Sequence, residues 1–130
     1  MSVNRDWSDV RVKELCDRVR QIAYDLHVYL GTGYLEKIYE NGLLHRLAKA
    51  GIRCEKQVPV QVFDDDQFCL GEYKLDLVVE EILVVEIKAA RGIDDKHVAQ
   101  ILGYLKATTL SHGLLVNFGS AKFQISKFKI

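Results

Sequence analysis

Proline occurs once in this sequence, as do tryptophan and methionine, and no segment repeats another or runs to low complexity. Nothing therefore marks a linker at which to divide the chain, and a single domain over residues 1–130 is expected, with 1–8 a loose N-terminal segment. Cysteine is scarce and odd in number. Cys16, Cys54 and Cys69 stand far apart with no C-x-x-C pair. That argues against a zinc site or a disulfide framework and suits a reducing compartment, so a cytoplasmic location is expected. No stretch approaches the roughly 20 apolar residues of a membrane-spanning helix, and the opening MSVNRDWSDV has no apolar core of a secretion signal. No membrane partner is expected. Charge of one sign is not in excess either, with 18 Lys and Arg against 18 Asp and Glu. A nucleic-acid partner would have to be attracted locally or through bound cations, because the chain has no overall basic field.

What the sequence does contain is enough apolar material, 48% of 130 residues, for one ordinary core. From Ser8, a plausible cap, to Leu30 the apolar residues follow helical spacing, and GTG at 31–33 breaks it. A second helix is expected from about Tyr34 to Ala50, stopped by Gly51. The period then shortens. QVPVQVF (57–63) alternates, with Pro59 indicating an edge strand. FCLGEY (68–73), KLDLVV (74–79) and ILVVEIK (82–88) read as further strand. A helix follows from Asp94 or Asp95 to Thr108, and GLLVNF (113–118) and FQISKFKI (123–130) read as closing strands. The order ααβββ-α-ββ predicts an α+β or α/β fold, one sheet between helices.

The informative residues are polar ones where geometry asks for apolar ones. Glu86 and Lys88 interrupt the most apolar strand and share a face, because side chains alternate along a strand. Asp76 interrupts the strand before it. A hairpin loop centred on Glu81 sets Asp76 opposite Glu86, and the three groups converge. A strict two-residue Glu80-Glu81 turn would pair Asp76 with Val85 and split them between faces. A buried ion-pair network would leave a net negative charge on an apolar sheet, which a divalent cation would neutralise. Carboxylate oxygens suit Mg²⁺ or Mn²⁺, and the Ile87 carbonyl could add a ligand. Glu36 falls between Leu43 and Leu47 on a helical wheel with Tyr39 close by, but taken alone it reads better as a partly exposed first-turn glutamate suited to the helix dipole. His97, Gln100 and Tyr104 form a polar stripe on the third helix that, by itself, reads as the border of an amphipathic face. The run Asp64-Asp65-Asp66 reads as a solvated turn.

Asp76, followed after nine residues by Glu86-Ile87-Lys88, resembles the D-(x)n-(D/E)-x-K signature of the PD-(D/E)XK nuclease superfamily, with Leu75 where that name has proline. Gln100-x-x-x-Tyr104 is similar to the QxxxY element of its RecB-type members. Gly33-x-x-Glu36-x-x-Tyr39 matches the pattern that names the GxxExxY family, a branch of the same superfamily. The resemblance runs from about residue 10 to 130. It implies a restriction-endonuclease-like core, a central mixed β-sheet flanked by helices. It also implies a nuclease that uses Mg²⁺ or Mn²⁺ and acts on nucleic acid, DNA in preference to RNA.

On that resemblance the metal would be held by Asp76, Glu86, the Ile87 carbonyl and Glu36, with Lys88 acting on water and on transition-state charge. Gln100, Tyr104, Tyr39 and His97 would contact substrate. The competing readings are a catalytically silent nucleic-acid-binding module and a homodimeric interaction module on the same fold.

Overall fold

The computed structural model describes residues 8–130, so all but Ser8 of the segment expected to be loose lies outside the described residues. The Ser8 hydroxyl accepts a hydrogen bond from the Arg11 amide at 3.2 Å and starts α1 (Asp9–Leu30). Gly31, at φ 69°, stops it in a conformation that side chains with a Cβ disfavour. Val12, Leu15, Val19, Ala23 and Leu26 recur at three- and four-residue intervals and are buried. A short turn leads to α2 (Glu36–Lys49), which buries Tyr39, Glu40, Leu43 and Leu47. The two helices meet closely at Gly42, where a Cβ would stand 3.0 Å from Leu26 Cδ1.

Five strands, β1 (Cys54–Phe63), β2 (Cys69–Val79), β3 (Leu83–Lys88), β4 (His112–Asn117) and β5 (Gln124–Lys129), lie in sequence order in one sheet. All neighbours are antiparallel except β3 and β4, which run parallel and are joined through α3 (Asp95–Ala107). α1 and α2 cover one face over a core that includes Val85, Ile87, Leu114 and Val116. α3 covers the other through Tyr104 and Leu105, against Leu75, Val78 and Val84. This is the expected mixed sheet between helices, with Pro59 on an edge strand. The largest differences from the periodicity are in β1 and β2. β1 begins at Cys54 because Cys54, Glu55 and Lys56 pair with Val79, Val78 and Leu77 although their charges blur the alternation. The segments 68–73 and 74–79 are one continuous strand.

Val79 pairs with Leu83, so Glu80, Glu81 and Ile82 form the loop centred on Glu81. Glu80 and Glu81 both take left-handed backbone, at φ 53° and 59°. Their carboxylates are tied to Arg53, which donates to Glu80 through its amide and to Glu81 through Nη2. The turn that fixes the register is therefore clamped from outside the hairpin.

At the other end of β3, Asn117 holds the chain after Lys88. Its side chain accepts from Ala90 N and donates to Ala90 O, both at 3.0 Å. Gly119 packs so tightly there that a Cβ would stand 2.3 Å from Ala90 N, and no rotation can relieve a clash with backbone. Gly119→Ala is expected to cost about 2–3 kcal/mol, as overpacking of a well-filled site does. Urea unfolding measures it. Wild-type stability would mean that the segment after Lys88 shifts freely.

Candidate active site

The β2–β3 ladder runs from Val79↔Leu83 to Leu77↔Val85 and then stops. The next residues in that register are Asp76 and Glu86, and there side chains take over from the backbone. Glu86 Oε1 accepts from Asp76 N at 3.0 Å, and Asp76 Oδ2 accepts from Ile87 N at 2.9 Å. Each carboxylate thus satisfies an amide that would otherwise be left unpaired in the sheet. Asp76 Oδ1 and Glu86 Oε2 have no such bond among the described residues.

β1 is irregular at the same level. Lys56 pairs with Leu77 and Val58 with Leu75, but between them Gln57 has φ 51°. Leu77 and Cys54 pack under α1 and α2, whereas Leu75, Val58 and Val60 pack under α3. The ribbon turns its faces over at Gln57 and Asp76. Holding a non-glycine residue in left-handed backbone costs about 1–3 kcal/mol. Gln57 Nε2 donates to Glu40 Oε1 at 2.8 Å, which anchors the strained residue to α2.

Lys88 lies two residues beyond Glu86, on the face covered by α3. Its Nζ donates to Gln100 Oε1 at 2.6 Å, and Gln100 Nε2 donates to Tyr104 Oη at 2.8 Å. The direction of this chain leaves the Tyr104 hydroxyl proton and two ammonium protons free to donate elsewhere. Burial, together with the negative charges of Glu86 and Asp76, pushes the Tyr104 hydroxyl up to about 12, so it stays protonated. Tyr73 packs on its ring at 4.9 Å between centroids.

The remaining expected residues divide. Glu36 is the exposed first residue of α2 and lines a cleft with Lys37, Glu40, Lys56, Gln57 and Asp76. Ile87 is buried with its amide bonded to Asp76, so its backbone lies against the carboxylate pair. Tyr39, expected to contact substrate, is placed in the core. It is fully buried, stacked on Phe118 at 4.7 Å, with its hydroxyl donating to Gly31 O and accepting from Tyr34 N. It fixes the turn before Glu36. His97 is likewise occupied at the start of α3, where its Nδ1 accepts from Asp94 N and its own amide donates to the Asp94 carboxylate. It is not part of the Lys88–Gln100–Tyr104 chain.

Glu40 is the residue that sequence reasoning missed. It is buried in the wall of the same cleft, and burial first, then the charge of Asp76, raises its carboxyl above the usual range against the Gln57 hydrogen bond. A signal was available, because Glu36, Glu40, Leu43 and Leu47 form one helical stripe.

Glu86 is 2% exposed, and its carboxyl is pushed up to about 8, chiefly by burial and then by the charge of Asp76. Two hard oxygen donors that repel unless a proton lies between them are a donor set that suits Mg²⁺ or Mn²⁺. The only group of three carboxylates within 4.8 Å of one another among the described residues is Asp64, Asp65 and Asp66. They are exposed at the β1–β2 turn, where Asp64 and Asp66 accept from backbone amides.

The raised Glu86 sets a sign for pH dependence. The folded protein binds this proton more tightly than the unfolded chain, so the stabilisation is full below about 4.5 and is lost as pH rises towards about 8. In EDTA, Glu86→Gln is expected to gain stability relative to wild type between pH 5 and pH 8, by up to about 1.4 kcal/mol per pH unit. Denaturant melts at the two pH values check this, and a difference that does not change with pH would contradict it.

A family model described as the PD-(D/E)XK nuclease superfamily matches residues 13–128. A solved structure titled "Crystal structure of SSO0001" is similar, with a TM-score of 0.61 and 19% identity over 88% of this chain. The chain covers 62% of that one, and at such identity the likeness shows the fold alone. No curated protein matches the sequence.

Proposed function

Because the chain belongs to the PD-(D/E)XK nuclease superfamily, we propose that it hydrolyses phosphodiester bonds with Mg²⁺ or Mn²⁺, in DNA in preference to RNA, as a member of the GxxExxY branch. One observation carries this reading. Asp76 and Glu86 meet where the β2–β3 ladder opens, and each has an oxygen to spare. The metal would be held by those two carboxylates, with the Ile87 carbonyl and Glu36 beside them and Glu40 in the cleft wall. A bound divalent ion supplies Lewis acidity at a phosphate oxygen and a more acidic water.

The chain's own groups do the rest. Gln100 Oε1 holds Lys88 Nζ by one hydrogen bond, leaving ammonium protons to orient the attacking water and to offset charge on the phosphate in the transition state. The Tyr104 hydroxyl, accepting from Gln100, keeps its own proton for a phosphate oxygen. Such contacts position the backbone and carry no base information.

A cleavage screen with Mn²⁺ on single-stranded, double-stranded and branched DNA and on RNA tests the proposal. EDTA-sensitive cleavage is the expected result. Salt-dependent binding without cleavage would replace the proposal with the silent binding module. Dimerisation with neither binding nor cleavage would leave the interaction module.

A further inference from the structure

Away from the cleft, α1 and β5 border a groove whose charged groups are Arg20 and Lys122, set beside the rings of Tyr24 and Phe123. No carboxylate lines it, in a chain whose acids and bases are equal in number. Arg20 and Lys122 are exposed, and neither forms an ion pair among the described residues. Tyr24 is 47% exposed and meets Phe123 edge-on at 5.7 Å. Phe123 is anchored in turn against His27 and Phe118, which makes the pair a fixed aromatic platform. Past these rings the groove continues to Gly31, the start of the turn that leads to Glu36, still without a carboxylate in its walls.

The sheet register brings this groove, on the α1 side of the sheet, to the same end of the strands as Lys88 on the α3 side. Lys88 pairs with Asn117 on β4, and Asn117 with Gln124 on β5, which lines the groove. Two strand spacings, about 10 Å, separate Lys88 from Gln124. Asn117 Nδ2 donates to Gln124 Oε1 at 2.8 Å and closes the row.

The geometry points to a single-stranded segment of nucleic acid lying in the α1–β5 groove while its scissile phosphate sits at Asp76, Glu86 and Lys88. This inference rests on the nuclease reading above. Unpaired cations neutralise phosphates, and an exposed ring takes a stacked base only when that base is unpaired. A duplex hides its base faces, so a single-stranded or tailed substrate is favoured over a blunt duplex. The β5 edge could instead accept a peptide as an added strand. Lys127 and Lys129 on β5 are residues that discourage such pairing, and the groove's cations call for an anion.

Fluorescence anisotropy in Ca²⁺ tests the inference, using a labelled oligo(dT) of about 16 nucleotides, within the site sizes of single-strand binders, and a blunt duplex of the same length. The wild type should prefer the single strand. Arg20→Ala with Lys122→Ala should weaken that binding about tenfold and lower the salt slope by about 1.4, two phosphates at about 0.7 each. Tyr24→Ala should weaken it about tenfold with the slope unchanged. Circular dichroism melts check that the variants fold, and Lys122→Glu alone supplies a second test of the charge. Unchanged affinity and slope in the double variant, or a wild-type preference for blunt duplex, would overturn the inference, as would a groove that binds peptide and not oligonucleotide. Mn²⁺-dependent hydrolysis of bis(p-nitrophenyl) phosphate by the wild type reads the nuclease site without the groove. Hydrolysis together with groove-independent DNA binding removes the groove alone. Groove-dependent binding without hydrolysis supports the groove and removes the nuclease reading.

Discussion

Lys88→Ala will lower turnover by about 10² or more, the loss expected when a positioned acid–base or electrostatic group is removed, while affinity for substrate in Ca²⁺ stays near the wild-type value. The reason is the division of labour on the α3 side of the sheet. Lys88 is held by one hydrogen bond to Gln100 and has its other ammonium protons free, whereas Gln100 and Tyr104 form a chain that ends in a hydroxyl. On the proposed reading, removing Lys88 would take away the cation beside the reacting phosphate and leave the neutral contacts. Tyr104→Phe should do the reverse, and Gln100→Ala, which releases both Lys88 and Tyr104, should weaken binding as well as lower turnover. Each should weaken binding by about 1–2 kcal/mol, the worth of a hydrogen bond to a charged group, and do so similarly across sequences. Single-turnover rates and Ca²⁺ binding curves separate the two effects. Wild-type cleavage by Lys88→Ala together with wild-type binding by Gln100→Ala would make both assignments wrong.

Asp76→Asn will abolish stoichiometric Mn²⁺ binding and leave the protein folded. The substituted side chain keeps a carbonyl oxygen to accept from Ile87 N, so the bond that closes the opened ladder survives. It takes away one of the charges that push the Glu86 carboxyl up. Stability without metal should therefore be unchanged or higher by about 1 kcal/mol, since one unit of carboxyl shift is worth about 1.4 kcal/mol. Titration calorimetry with Mn²⁺ and a thermal melt in EDTA read the two halves separately. Persistent one-to-one binding would show that the ion is held elsewhere, with the Asp64–Asp66 turn the first place to look.

The helices were legible because their signals are local. Ser8 caps and Gly31 stops α1 as their chemistry requires, and Gly51 at φ 74° lies just past the end of α2. The Asp76–Glu86 register was legible for a different reason. Of the two loop lengths considered, only a three-residue loop sets the carboxylates opposite each other, and that is the loop found. What could not be read depends on distant parts of the chain. Gln57 takes left-handed backbone because two halves of one ribbon pack under different helices. Asn117 and Gly119 are ordinary residues until Ala90 is brought against them. Tyr39 is expected to contact substrate only on the resemblance, through the Gly33-x-x-Glu36-x-x-Tyr39 pattern. Its ring instead lies on Phe118 and sends only its hydroxyl to the loop. Glu40 was overlooked although it shares a stripe with Glu36, because burial among α2, Gln57 and Asp76 is what makes it unusual.

The most direct test of a metal centre at the opened ladder is the anomalous difference density of a crystal soaked in Mn²⁺. A single strong peak is expected between Asp76 and Glu86, beside the Ile87 carbonyl, surrounded by oxygen ligands in octahedral arrangement. A fully soaked crystal with no peak there, or with its peak at Asp64, Asp65 and Asp66, would contradict it.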